Sequence, residues 1–115
     1  MVTPTYVPQH ADVVWLTFDP QAGSEQAGRR PAFILSPSSY NARAGLTLCC
    51  PITSRVKGYP FEVPVPPGLA VTGVILADQI KCLDWRARRA DFICPLPPPT
   101  VQQVLAKLAT LLPGI

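Results

Sequence analysis

The sequence predicts a mostly β domain of the α+β class, a small and strongly bent sheet or barrel closed by one C-terminal helix. Three observations predict it. Short runs of strand-forming residues recur at about ten-residue spacing with turn signals between them. Fifteen prolines are spread along the 115 residues, which breaks up helices and favours short strands and turns. Apolar residues at helical spacing are confined to the tail.

Residues 1–11 read as a lead-in. Residues 13–18 form the first strand, rich in β-branched and aromatic side chains and stopped by Asp19-Pro20. A loop over 20–31 leads to a second strand over 31–35, ended by Ser36-Pro37. Residues 38–45 are small and polar and read as loop; 46–52 is a third strand, cut short by Pro51. A turn over 54–58 carries Arg55 and Lys57. Residues 59–65 alternate around Phe61, Val63 and Val65, with Pro60 and Pro64 marking an edge strand. Pro66-Pro67-Gly68 is a turn, 73–77 is strongly apolar, and 79–83 alternates less clearly. Pro97-Pro98-Pro99 forbids regular helix up to that point. Thr100 then reads as an N-cap with Gln103 completing a capping box. Val101, Val104, Leu105, Leu108, Leu111 and Leu112 make one apolar stripe, and Pro113-Gly114 stops the helix.

Composition sets the outer bounds. At 115 residues the expected organisation is a single domain over 1–115. Hydrophobic residues at 48% and charged residues at 15% exclude a disordered tail. A net charge of +3 permits an anionic partner without demanding one. The N-terminus lacks a charged-then-apolar pattern, and no apolar run reaches the ~18 residues of a membrane span. The expected location is the cytoplasm, with no membrane contact. Cys49, Cys50, Cys82 and Cys94 contain no Cys-x-x-Cys pair, so zinc spacing is absent and they read as small core residues. No metal and no cofactor are expected.

The densest chemistry lies in Gly23-Ser24-Glu25-Gln26-Ala27-Gly28-Arg29-Arg30-Pro31. Glycines let a backbone turn tightly and approach a ligand. A planar guanidinium suits a pair of phosphate oxygens, and a nearby carboxylate could take up a proton. The segment therefore fits chemistry on a phosphodiester, or a solvated turn that happens to be charged. Histidine is the usual proton carrier, but the sole histidine, His10, falls in the lead-in and reads as a bystander. Trp15, inside an apolar run, reads as core.

That segment, with Phe18-Asp19-Pro20 before it, resembles the start of the MazF/PemK family of toxin endoribonucleases. The resemblance continues in Leu35-Ser36-Pro37, Tyr40-Asn41, Cys50-Pro51-Ile52-Thr53-Ser54, Lys57-Gly58-Tyr59-Pro60-Phe61-Glu62-Val63, Ala77-Asp78-Gln79-Ile80-Lys81 and Asp84-Trp85-Arg86-Ala87-Arg88, in the family's order. It implies a small SH3-like β-barrel of the CcdB/PemK kind. It implies the toxin of a type II toxin–antitoxin system, a metal-independent and ribosome-independent endoribonuclease that cuts single-stranded RNA, chiefly mRNA. The expected ends are a 2′,3′-cyclic phosphate and a 5′-hydroxyl. The implied partners are a second copy in a homodimer and a MazE-like antitoxin. A gyrase-directed poison on the same fold, as in the CcdB toxins, is the alternative.

By the same resemblance Arg30 and Thr53 match catalytic positions. Arg30 would neutralise charge in the transition state and Thr53 would donate a hydrogen bond to a non-bridging oxygen. Glu25 is a general base, the group that orients Arg30, or a plain loop carboxylate. Arg29 departs from family members with His or an aliphatic residue there, which leaves open a role in cleavage or in backbone binding. Arg55 and Lys57 fall where the family has an RNA-contacting loop. Phe18 and Tyr59 could stack on splayed bases, although core packing is the commoner fate of such rings; Asp78 and Gln79 could read base edges, although Asp78 equally fits a turn cap. The basic run over 84–89 fits a subunit contact, a nucleic-acid surface or a solvated face.

Overall fold

The structure, a computed structural model, describes residues 6–18 and 28–114. Seven strands and two helices occur among them: β1 (Asp12–Thr17), β2 (Arg29–Ile34), α1 (Ser38–Ala44), β3 (Leu46–Thr53), β4 (Glu62–Pro64), β5 (Val74–Leu76), β6 (Lys81–Asp84), β7 (Asp91–Pro95) and α2 (Pro98–Leu111). All the strand pairings are antiparallel.

The sheet runs β4-β5-β3-β2-β1-β7, with β6 also on β3. One edge of β3 pairs β2, and its other edge is divided, residues 46–49 pairing β6 and residues 52–53 pairing β5. Among the described residues no ladder joins the outer strands β4 and β7. The pairings show a mostly antiparallel sheet with two helices, without the ladder among the described residues that would close the expected barrel. Pro60 and Pro64 bracket β4 and keep this edge short.

Apolar side chains cover both faces of the sheet. Val13, Phe33, Cys50, Ile52, Val63 and Ile75 meet Val101, Val104 and Leu108 of α2 in one cluster. Val14, Leu16, Phe18, Ala32, Ile34 and Cys49 meet Trp85 in the other. Neighbours along a strand point to opposite faces, which sends Cys50 to the first cluster and Cys49 to the second.

Three elements differ from the sequence-based expectation. Residues 38–44 form a helix rather than a loop, because α1 is anchored by polar groups and has no apolar stripe. The fully buried Asn41 donates to the Pro8 carbonyl (2.8 Å) and the Ser36 carbonyl (3.1 Å) and accepts from the Ser36 hydroxyl (2.6 Å). Gly45, at φ 69, ends that helix in the left-handed region. The sequence reading has no counterpart of β7, which pairs β1. Helix α2 begins at Pro98, with Pro97 as N-cap and no side-chain cap, so the capping box at Thr100 does not form. Proline is tolerated in a first helical turn, where its missing N–H would have no partner in the helix. No helix among the described residues is long and apolar enough to cross a membrane.

Candidate active site

The start of β2 and the end of β3 build the site. The β2–β3 register sets Ala32 opposite Pro51 and Phe33 opposite Cys50. Carried outward past Pro31, the same register sets Arg30 opposite Thr53. Arg30 also pairs with Leu16 of β1, so it stands on an inner strand of the sheet. A cleft of about 310 Å³ opens here, lined by Trp15, Arg29, Arg30, Pro31, Ile52 and Ser54, with residues 70–72 on its far side.

Thr53 is buried, and its hydroxyl accepts the Arg55 N–H at 3.1 Å. Thr53 itself does not line the cleft; Ile52 and Ser54 on either side of it do. On the other flank Thr53 pairs Val74, next to Gly73. Gly73 has φ +113, and a Cβ there would lie 2.1 Å from the Thr53 carbonyl oxygen. Glycine is therefore what lets β5 close onto the end of β3.

Arg29 does something different from its neighbour. Its guanidinium donates to the Asp91 carboxylate at 2.7 Å, to the Arg89 carbonyl at 2.7 Å and to the Arg88 carbonyl at 3.3 Å. It thereby ties β2 to the turn before β7 while still lining the cleft. The basic run is itself folded. The Asp84 carboxylate accepts the N–H groups of Arg86 (3.1 Å) and Ala87 (2.9 Å), and Arg88 donates to the Thr17 carbonyl (2.9 Å). Trp85 is buried and donates to the Asn41 carbonyl, with Arg86 over its ring.

The remaining residues singled out in sequence divide into groups. Arg55, Lys57 and Tyr59 are exposed on the loop between β3 and β4, which starts at the cleft. Tyr59 is 58% exposed, with the Lys57 ammonium 5.8 Å from its ring centroid. Asp78 and Gln79 follow β5, close to the far end of that loop, since the Ala77 N–H donates to the Phe61 carbonyl (3.0 Å). Gln79 carries a buried Oε1 that meets no hydrogen-bond partner among the described residues. Phe18 is corrected: at 3% exposure its ring belongs to the core and offers no face to a base. Glu25 lies outside the described residues. The backbone at both ends of its segment is joined, Phe18 N–H donating to the Gly28 carbonyl at 2.8 Å. His10 sits away from the cleft, its Nδ1 2.7 Å from the Leu35 carbonyl.

Sequence reasoning missed Trp15, which is 40% exposed in the cleft and not core. It also missed the 70–72 loop, which has no charged residue to draw attention. Cys49 and Cys50 are core residues as expected, but Cys82 is exposed and Cys94 half-buried. Burial pushes the thiols of Cys49 and Cys50 up to about 12.

A basic cleft at paired strand ends, with the buried Thr53 between two of the residues that line it, is a surface suited to an anion. Residues 9–112 match the model of the PemK-like, MazF-like toxins of type II toxin–antitoxin systems, and the chain belongs to that family of toxin endoribonucleases. It is 50% identical over 107 residues to the endoribonuclease toxin MazF of Escherichia coli strain K12, covering 93% of this chain and 96% of that protein. Crystalline MazF from Deinococcus radiodurans superposes with a TM-score of 0.91 at 54% identity, over 94% of this chain and 98% of that one. MazF from a MazE–MazF complex of the same organism gives 0.85, also at 54% identity, over 94% and 97% of the two chains. The Escherichia coli relatives MazF and PemK are named endoribonucleases, so the gyrase-directed alternative is not favoured.

Proposed function

We propose that this toxin cuts single-stranded RNA, chiefly mRNA, at a short recognition sequence, without a metal or cofactor and without the ribosome, and so stops translation and growth. The observation that carries the reading is the meeting of Arg30 with the Thr53 segment at one cleft. In the reaction the 2′-hydroxyl gives up its proton, its oxygen forms a bond to the adjacent phosphorus, and the P–O5′ bond breaks. The leaving 5′ oxygen takes a proton, which leaves a 2′,3′-cyclic phosphate and a 5′-hydroxyl. Arg30 balances the charge that builds on the phosphorane oxygens, and Thr53 donates a hydrogen bond to one of them. Glu25 takes the 2′-hydroxyl proton or orients Arg30, a role that rests on the sequence resemblance.

Arg55 and Lys57 hold backbone phosphates, which fixes register and carries no sequence information. Tyr59 stacks on a base. Asp78 and Gln79 read base edges, and the unmatched Gln79 acceptor supports this, since an exocyclic amine would satisfy it. Arg29 has its guanidinium engaged by Asp91, so its part is to hold the cleft wall. The chain acts in the cytoplasm as one toxin domain over 1–115, as a homodimer with RNA in a groove at the subunit interface. A MazE-like antitoxin neutralises it. The MazE–MazF complexes of the Deinococcus radiodurans relative support that partner.

The test is incubation with a long single-stranded RNA in EDTA, with ends mapped by primer extension. Discrete cuts at a recurring sequence with 5′-hydroxyl ends are expected, slowed by at least about 10²-fold in Arg30→Ala, the usual cost of removing a donor to a developing oxyanion. Intact RNA with folded, antitoxin-free protein would refute the reading.

A further inference from the structure

Glu62 is one of the few buried acidic side chains among the described residues, at 9% exposure, and the cleft chemistry does not use it. It opens β4 and faces back along the loop that precedes it. Its Oε2 accepts the Lys57 N–H and its Oε1 the Gly58 N–H, each at 3.0 Å. Gly58 sits at φ +82, which helps turn successive amides toward one anion. The Glu62 N–H donates in turn to the Tyr59 carbonyl at 3.1 Å. The carboxylate therefore fills a concavity made by the inner side of the loop, while Lys57 and Tyr59 are exposed. The other tethers lie at the ends: Arg55 N–H on the Thr53 hydroxyl, and the Lys107 ammonium of α2 on the Pro60 carbonyl. Between those ends, Glu62 is the side chain that grips the backbone.

We propose that Glu62 is a positioning residue for RNA recognition. Its two-oxygen grip on the Lys57 and Gly58 amides sets where Lys57 and Tyr59 meet the strand, and hence both affinity and choice of cleavage sequence. The inference rests on the reading of this loop as RNA-contacting. Loss of the carboxylate leaves two amides without an acceptor, and the loop then turns them to water at the expense of its shape. Arg30 and Thr53 are held by the sheet and keep their places, so the effect falls on binding.

The test is steady-state cleavage of a long single-stranded RNA by the wild-type protein, Glu62→Ala and Glu62→Gln, with cut sites mapped and folding followed by circular dichroism. Glu62→Ala is expected to raise KM about tenfold with kcat within about twofold, and to widen the set of sequences cut. Glu62→Gln keeps one acceptor oxygen and should fall between. It also serves if Glu62→Ala does not fold. In a Lys57→Ala, Tyr59→Ala background the Glu62 change should add little, because Glu62 acts through those two contacts. Unchanged KM and cut sites in a folded Glu62 variant overturn the inference alone, as does a loss confined to kcat. A wild-type protein that leaves RNA intact overturns the functional reading and the inference with it.

Discussion

Trp15 stands 40% exposed on β1, paired across the strand with Pro31 and so beside Arg30 at the mouth of the cleft. If the cleft takes RNA as proposed, a flat indole next to the Arg30 guanidinium would offer a stacking surface for a base, and one such stack is worth about 1–3 kcal/mol. Trp15→Ala should therefore raise KM for RNA by about fivefold or more, whereas Trp15→Phe should keep most of the affinity. Cleavage kinetics on one RNA decide it, and equal KM in Trp15→Ala and wild type would mean that the ring only fills space. The residue scale also marks the limit of sequence reading. Arg30 and Thr53 could be singled out in the sequence because each sits in a motif whose neighbours repeat the family's order. Trp15 was not, because Val14 and Leu16 on either side make it look like one more core residue. Period-two alternation puts it on the opposite face from both. Phe18 erred the other way: an aromatic ring beside a charged loop resembles a base platform, yet packing against the second cluster claims it.

Elements place these residues, and the tightest joint between elements is where β5 meets β3. A Cβ at Gly73 would lie 2.1 Å from the Thr53 carbonyl oxygen and 2.8 Å from its carbon, both backbone atoms that cannot swing aside. With φ +113 as well, Gly73→Ala should lower stability by about 1–3 kcal/mol and push Thr53 out of line. Thermal melts should show the first effect. A fall in kcat larger than that of a stability-matched core variant should show the second, and a folded Gly73→Ala enzyme with wild-type kcat would mean that the strand ends tolerate separation. Most strands were legible at this scale, since β-branched runs between prolines have few other fates, but β7 was not. Helix α1 was not, because its fixed point is the buried amide of Asn41 and hydropathy has no period to report. The start of α2 was misread for a related reason. Proline breaks a helix interior but suits its first turn, so the proline run became part of the helix it was expected to precede. Closure of the sheet was beyond sequence reading as well, because it depends on how β5 and β6 divide one edge of β3.

At the scale of the whole molecule the two core clusters meet through β3, and adjacent cysteines report on both. Cys50 points into the helix-side cluster and Cys49 into the cluster around Trp85, each at 0% exposure. Burial, aided by the neighbouring Cys50 thiol at Cys49 and by Asp78 at Cys50, pushes both from 9.0 up to about 12. Because the folded pKa is raised, the contribution to stability is full below about pH 9. Above that the unfolded chain loses its thiol protons first, so stability falls as pH climbs toward about 12. Each thiol can add up to about 1.4 kcal/mol per pH unit to that slope. Tyr6 acts in the same sense, its phenol pushed up by burial and by its hydrogen bond to Asp12. Melting temperature should accordingly drop between pH 9 and 11, and a Cys49→Ala, Cys50→Ala variant, though less stable at pH 7, should show a shallower drop. A thiol reagent at pH 8 gives the companion reading. The exposed Cys82 should react at once, while Cys49 and Cys50 should react at the rate of global unfolding. Prompt modification of all the cysteines in the native protein, or equal alkaline slopes for variant and wild type, would show that the two faces of the sheet open locally and that β3 does not hold them as one cooperative unit.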